Sequence, residues 1–293
     1  MKMKKIFVCA ISMCALFTLT GCDQVAGALD NPVGAYLEVN TEAVVLNPDE
    51  ATVRKATTIS TATVVYESSN PEVATVDENG KITGVAEGDA VISVVVPANE
   101  VYLAGNAKIN VHVNQVLAKA KATDIGRVVC TAGHIHTADA DAEICEADRV
   151  AMVAYVGNKS NCKTGLAIAL TNARNNVWAN AKSYVATWTS DYPVAGATWR
   201  LPSTDDWQYI LIGCGSTTQY ISQLTSGVVF DSKGLNDKLN AIGASFLSGY
   251  YWSSDENKDN TASAWEFVNG ATSRFEIWSK TAYADNVRYC LAF

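Results

Sequence analysis

The side chains able to do chemistry lie in the second half of the sequence. His134 and His136 form the sharpest pair. On a strand, residues i and i+2 point to one face, so two imidazoles at this spacing can share a metal ion, and Cys130, Asp139 and Asp141 are close by in the chain. Against a metal centre, Thr131 to Glu146 is small and acidic and reads as a loop, and no Glu stands at the spacing of a zinc hydrolase base. No metal ligand is assigned. Asp255, Glu256, Asn257, Asp259 and Asn260 offer oxygens of the type Ca²⁺ takes, but their spacing fixes no geometry, and a solvated hairpin loop is the simpler expectation. A nucleophilic cysteine needs a lowered pKa and a His or Asn partner. The chain has 3 His, none near Cys214 or Cys290 in sequence. No Ser-His-Asp triad, paired-carboxylate signature or phosphate-cradling glycine loop is present. The expectation is a protein that is not an enzyme.

The 7 tryptophans (Trp178, Trp188, Trp199, Trp207, Trp252, Trp265 and Trp278) also lie in this half, where they either stack on sugars or fill a core. The stretch Trp199–Trp207 shows how such residues are positioned. Pro202 forces Leu201 to be extended, so a strand-like segment arrives there. Ser203 and Asp206 have capping-box spacing, Asp205 and Asp206 suit the positive end of a helix, and Trp207, Ile210 and Leu211 form one apolar face. Gly213 and Gly215 end the helix. A helix is also predicted across Val177–Trp188 and a short one from Leu235 to Leu239 with Ile242. Strands are predicted at 125–130, 151–156, 165–170, 250–254, 264–268, 273–278 and 286–293, with a tight turn at Asn269-Gly270. Helices in the middle and an antiparallel sheet at the end make an α+β unit.

The 293 residues carry a net charge of −8, which makes nucleic acid an unfavourable partner. Lys2, Lys4 and Lys5 precede an apolar run from Ile6 to Leu19, too short for an ordinary membrane span. Leu19-Thr20-Gly21-Cys22 follows and resembles the lipobox of bacterial lipoproteins. The resemblance implies a signal peptide at 1–21, lipidation of Cys22, and attachment to a membrane through acyl chains. Residues 22–35 read as a tether. Export leaves Cys130, Cys145, Cys162, Cys214 and Cys290 where disulfides are permitted, an odd number whose pairing spacing cannot fix.

Residues 36–114 read as short strands separated by turns, the pattern of a sandwich. Ser68-Ser69-Asn70-Pro71-Glu72-Val73-Ala74-Thr75-Val76-Asp77, then Asn79-Gly80-Lys81-Ile82-Thr83-Gly84-Val85 and Gly88-Asp89-Ala90-Val91-Ile92, resemble the bacterial Ig-like group 2 family. The resemblance implies an all-β Ig-like sandwich used as a spacer or adhesin module. Residues 115–124 read as a polar, Ala/Lys-rich linker.

Across 125–293, Trp199-Arg200-Leu201-Pro202, Trp207, Tyr251-Trp252-Ser253-Ser254, Ala264-Trp265-Glu266-Phe267, Asn269-Gly270 and Val287-Arg288 resemble the C-type-lectin-like fold. The likeness is to the collagen-like adhesin C-terminal and fibrobacter major paralogous families in particular. It implies that Trp199, Trp207, Trp252 and Trp265 are core, leaving Trp278, Trp188 and Tyr283 as candidates for exposure. It also implies a disulfide between Cys214 and Cys290, and ligand binding by loops near 215–230, 255–262 and 279–285. The calcium tripeptides of animal lectins are missing, and so is the late cysteine pair of the formylglycine-generating oxidases. The expected fold is therefore an Ig-like sandwich followed by an α+β C-type-lectin-like domain. The expected function is a lipid-anchored protein of the outer membrane or cell surface that binds a surface glycan or protein, through Asp255, Glu256, Asn257, Asp259, Asn260, Trp278 and Tyr283. Ca²⁺ is the one cofactor in reserve. The alternative is a structural subunit of a fimbria-like assembly.

Overall fold

The computed structural model describes residues 33–137, 148–173, 177–282 and 286–293. Cys22, Asp139, Asp141, Cys145 and Tyr283 lie outside them. Among the described residues no helix is long and apolar enough to cross a membrane.

The first half is built from β1 (Val44–Leu46), β2 (Ala51–Val53), β3 (Val65–Ser68), β4 (Ala74–Val76), β5 (Lys81–Gly84), β6 (Gly88–Val96) and β7 (Gly105–Val113). They form a four-stranded sheet, β1-β7-β6-β3, and a three-stranded sheet, β2-β5-β4. Along β6, alternation sends Ala90, Ile92, Val94 and Val96 inward, as a sheet with one wet face requires. Of these, Ala90, Ile92 and Val94 meet Val44, Leu46, Val73, Ile82, Ile109 and Val111 in a core drawn chiefly from these two sheets. The turn expected at Asn79-Gly80 is present. Only Gly80 has a positive φ (+74°), and a Cβ there would lie 2.5 Å from the Arg54 carbonyl oxygen, so glycine is required twice over. The strand expected near Tyr36–Asn40 is reduced to one bridge, Glu38 to Thr57.

The second half begins earlier than its composition implies. Residues 115–124 supply β8 (Gln115–Val116) and two short 3-10 turns, with Gln115, Leu117 and Asp124 buried. Next come β9 (Val128–Cys130), β10 (His134–His136), β11 (Arg149–Val156) and β12 (Gly165–Ala169). The His134–His136 segment, expected as loop, is a strand because β8 pairs with it on one side and β9 on the other. Two helices follow, α1 (Trp178–Ser183) and α2 (Val185–Asp191), in place of the single one expected across 177–188. Then come β13 (Thr198–Arg200), α3 (Thr204–Gly213), β14 (Val229–Asp231), α4 (Lys233–Ala241), β15 (Gly249–Glu256), β16 (Thr261–Val268), β17 (Thr272–Ser279) and β18 (Cys290–Ala292). The turn between β16 and β17 has Asn269 and Gly270 both at positive φ, as expected.

These strands make a seven-stranded sheet, β13-β18-β12-β11-β9-β10-β8, and a four-stranded antiparallel sheet, β14-β17-β16-β15. Strands β11 and β12 are buried on both faces. Met152, Ala154, Leu166 and Ile168 pack on Trp207, Ile210 and Leu211 of α3 and on Trp265, Phe267 and Phe275 of the smaller sheet. Ala151, Val153, Ala167 and Ala169 face the other way, toward Trp178, Trp188, Trp199 and Trp252. Trp199, Trp207, Trp252 and Trp265 are core, as expected. Trp188, expected to be exposed, is only 5% so, because its ring fills the space between Tyr192, Trp199 and Tyr289.

Candidate functional site

The corner at Trp199–Trp207 forms as its sequence dictates. Ser203 Oγ accepts from the Asp206 backbone N–H at 3.0 Å, and Asp206 Oδ2 accepts from the Ser203 N–H at 2.9 Å. Asp206 does more than cap α3. Its carboxylate, 1% exposed, also accepts from Arg200 Nε at 2.9 Å, Arg200 Nη2 at 2.5 Å and Ser160 Oγ at 2.6 Å. Arg200 Nη2 in turn donates to the Ser160 carbonyl at 2.5 Å. Burial opposes the Arg200 charge, but the hydrogen bonds and charge of Asp206 outweigh it and hold the guanidinium above its usual pKa. The cluster locks the Asn158–Lys163 loop to α3 and leaves no side chain free for a ligand.

The same helix start gathers the predicted binding loops. Thr204 N–H donates to Asp255, and Tyr220, stacked on Tyr209, donates to Asp205 Oδ1 at 2.9 Å. Gln208 grips Ile221 through both of its backbone groups. On the far side Lys280 pairs with Glu256, and that contact, ahead of the wider charge field, holds Glu256 below the usual carboxylate range. Asn257 Nδ2 donates to Ser263 Oγ at 3.1 Å, and Asp259 and Asn260 make the turn at positive φ. The acidic loop therefore does not converge as a calcium site: Asp255 serves α3 and Glu256 serves Lys280. Among the described residues one group of three His, Cys, Asp or Glu side chains has its ligand atoms all within 4.8 Å of one another, namely Cys130, His134 and His136.

The disulfide expected between Cys214 and Cys290 is not formed. Both thiols are free and buried, and they face different groups: Cys214 Sγ donates to the Ala154 carbonyl, while Cys290 Sγ lies 3.9 Å from Asp206 Oδ2. Burial pushes Cys214 up to about 12 and Cys290 well above its ordinary value, so neither is poised as a nucleophile.

Trp278 leads to a surface that the sequence reading missed. It is half-buried on β17, with its ring centroid 3.9 Å from that of Tyr250 on β15 and its edge toward Trp252. By register, Tyr250 pairs with Glu266, which pairs with Arg274, and Ala262 pairs with Trp278. Tyr250, Glu266, Arg274, Glu276 and Trp278 thus share one face of the four-stranded sheet. Helix α1 and Trp178 cover the adjoining part of that face. Arg274 lies 3.5 Å from Glu266 and 4.0 Å from Glu276, and the Tyr250 hydroxyl is hydrogen-bonded to Glu266, the main reason its pKa is raised. A close, tilted aromatic pair beside two carboxylates and a guanidinium is suited to a polyhydroxylated ligand: ring surface for the apolar face of a sugar, fixed acceptors and donors for its hydroxyls. The available signal was the spacing of Arg274, Glu276 and Trp278 at i, i+2 and i+4.

A groove of about 390 Å³ lies instead on the first half, along Val45, Val91 and His112, where the His112–Asp89 pair is 2.8 Å apart. It is shallow and brings no set of functional groups together.

Comparison with known proteins finds a likeness in part of the first half. Residues 36–103 match the model of the bacterial Ig-like domain (group 2). No curated protein matches the sequence. Among solved structures, domains 4 and 5 of the S-layer protein SbsC are similar at 24% identity and a TM-score of 0.24, over 28% of this chain and 53% of that one, so the chain spans about half of the S-layer segment. A fimbrial protein from Bacteroides ovatus is similar at 13% identity and a TM-score of 0.42, over 89% of this chain and 71% of that one. Intimin of EHEC O157:H7 is similar at 13% identity and a TM-score of 0.22, over 87% of this chain and 94% of that one. At these scores the neighbours carry no functional argument.

Proposed function

We propose that the chain is a lipid-anchored protein of the bacterial cell surface in which an Ig-like domain carries a C-type-lectin-like domain that binds a surface glycan. Cys22 is the anchor, the Ig-like domain the spacer, and residues from 125 onward the recognition domain. The observation that carries the reading is the sheet face with the Tyr250–Trp278 pair flanked by Glu266, Arg274 and Glu276. The lipobox and the Ig-like match supply the setting. The loop at 255–260 and Lys280 form one rim of that face, through Glu256.

The test is a glycan array probed with the full chain, with and without Ca²⁺. Binding should be calcium-independent. Trp278→Ala should weaken it by about tenfold, roughly the 1.4 kcal/mol of one lost aromatic stacking contact. No glycan bound by the wild type, with partner subunits co-purifying from the envelope, would sink the glycan reading in favour of a fimbria-like structural subunit.

A further inference from the structure

The β9–β10 hairpin holds a cluster that neither the Ig-like match nor the sheet-face site uses. Cys130 ends β9, a tight turn closes with Gly133 N–H donating to the Cys130 carbonyl at 2.9 Å, and β10 begins at His134. Gly133 has φ +77°, and a Cβ there would meet the Ala195 carbonyl oxygen at 2.4 Å, so the turn is fixed from outside as well. In the register of these strands Ile135 pairs with Val129 and His136 with Val128. Continuing it by one step sets Cys130 opposite His134. Alternation then places Cys130, His134 and His136 on one face while Ile135 points into the core.

Four further observations bear on what this face holds. Cys130 Sγ lies 3.6 Å from His136 Nε2. A tetrahedral zinc with Zn–S of about 2.3 Å and Zn–N of about 2.0–2.1 Å sets its S and N ligands about 3.6 Å apart. The ligand atoms of all three side chains fall within 4.8 Å of one another. His134 Nδ1 is buried and has no hydrogen-bond partner, whereas buried polar atoms are ordinarily satisfied. The two imidazoles are 6.0 Å apart between centroids with planes at 67°, an arrangement in which they converge without stacking.

We propose that Cys130, His134 and His136 form a binding site for Zn²⁺ or a closely similar divalent transition ion. One thiolate and two imidazoles are borderline-soft donors, which favour zinc over calcium or magnesium. Three ligands leave a fourth position. His136 lines a cleft of about 140 Å³ that also borders Glu87, His112 and Arg127, so that position opens toward solvent between the two halves of the chain. On binding, the Cys130 thiol loses its proton to solvent and the imidazoles bind as neutral bases. The metal would close the hairpin and tie β9 to β10 beside the junction with the Ig-like domain. It is independent of the glycan site, which lies on a different sheet.

The experiment uses the full chain, stripped with EDTA and dialysed against Zn²⁺ alone or Co²⁺ alone. We expect one equivalent of zinc per chain by elemental analysis, and with Co²⁺ the intense visible bands of a four-coordinate ion plus a thiolate-to-cobalt charge-transfer band. His136→Gln should lose that equivalent while keeping its far-ultraviolet circular dichroism, since His136 is half exposed. His134→Gln should weaken binding by at least about tenfold, the loss that follows removal even of an outer-sphere partner. Cys130→Ser should abolish the charge-transfer band, and Cys162→Ser, a change outside the cluster, should not. No retained metal in the wild type, or retention undiminished in folded His136→Gln, would overturn the proposal.

Discussion

Replacing Asp206 by Ala should destabilise the second half more than any other single polar change near α3. The carboxylate accepts hydrogen bonds from Arg200 Nε and Nη2, Ser160 Oγ and the Ser203 backbone N–H, and is 1% exposed. Removing one partner of a buried ion pair costs about 3–5 kcal/mol, chiefly because the other charge is left unpaired. Arg200 keeps 29% of its exposure and can be partly rehydrated, which favours the lower end, about 3 kcal/mol. Losing the reciprocal cap adds about 1 kcal/mol. The sum, about 4 kcal/mol, corresponds to a fall in Tm of roughly 8–16 °C for a unit of this size. Ser203→Ala removes only the cap and should cost about 1 kcal/mol. All 7 tryptophans lie between Trp178 and Trp278, so their emission during denaturation reports on this half alone. If Asp206→Ala lies within about 1 kcal/mol of the wild type, or Ser203→Ala costs as much, then the Arg200–Asp206–Ser160 cluster is not what holds the corner.

Two further outcomes are expected. Under native conditions iodoacetamide should modify Cys162 faster than Cys214 or Cys290, even near pH 9, the ordinary thiol value, because burial raises Cys214 to about 12 and Cys290 well above its ordinary value; mass spectrometry reporting equal labelling, or a Cys214–Cys290 cross-link, would contradict this. Gly80→Ala should lower the unfolding free energy of the Ig-like half, read from its denaturation curve, by about 2 kcal/mol or more, since it forces a side chain into left-handed backbone and against the Arg54 carbonyl; Gly196→Ala, also at positive φ but in open space, should cost about half as much.

Sequence reading succeeded where the physics is local. The capping box of Ser203 and Asp206, the stop after Gly213, the alternation along β6 and the turns at Asn79-Gly80 and Asn269-Gly270 depend on near neighbours and appear as expected. It fell short where distant segments decide. Nothing near His134 marks it as a strand; that follows from β8 and β9 on either side. β2 and β14 have three residues each, too few to show a period. Trp188 lies outside the lectin-like motif that marks the core tryptophans, yet is enclosed by rings from the end of α2, β13 and the segment leading into β18. The candidate sheet face needed β15, β16 and β17 in register before Tyr250, Glu266 and Trp278 could be seen together.

Strand β18 sits between β12 and β13, pairing Leu166 with Ala292 on one side and Thr198 with Ala292 on the other. A chain made from its N-terminus delivers β12 and β13 long before Cys290–Ala292. During that interval both strands present unpaired edges, which are templates for pairing with other chains. The second half must therefore finish folding after the last residues are made, in a step dominated by contacts remote in sequence and correspondingly slow. The Ig-like half draws its buried core from residues 44–113 and is free to fold while the rest is still being made.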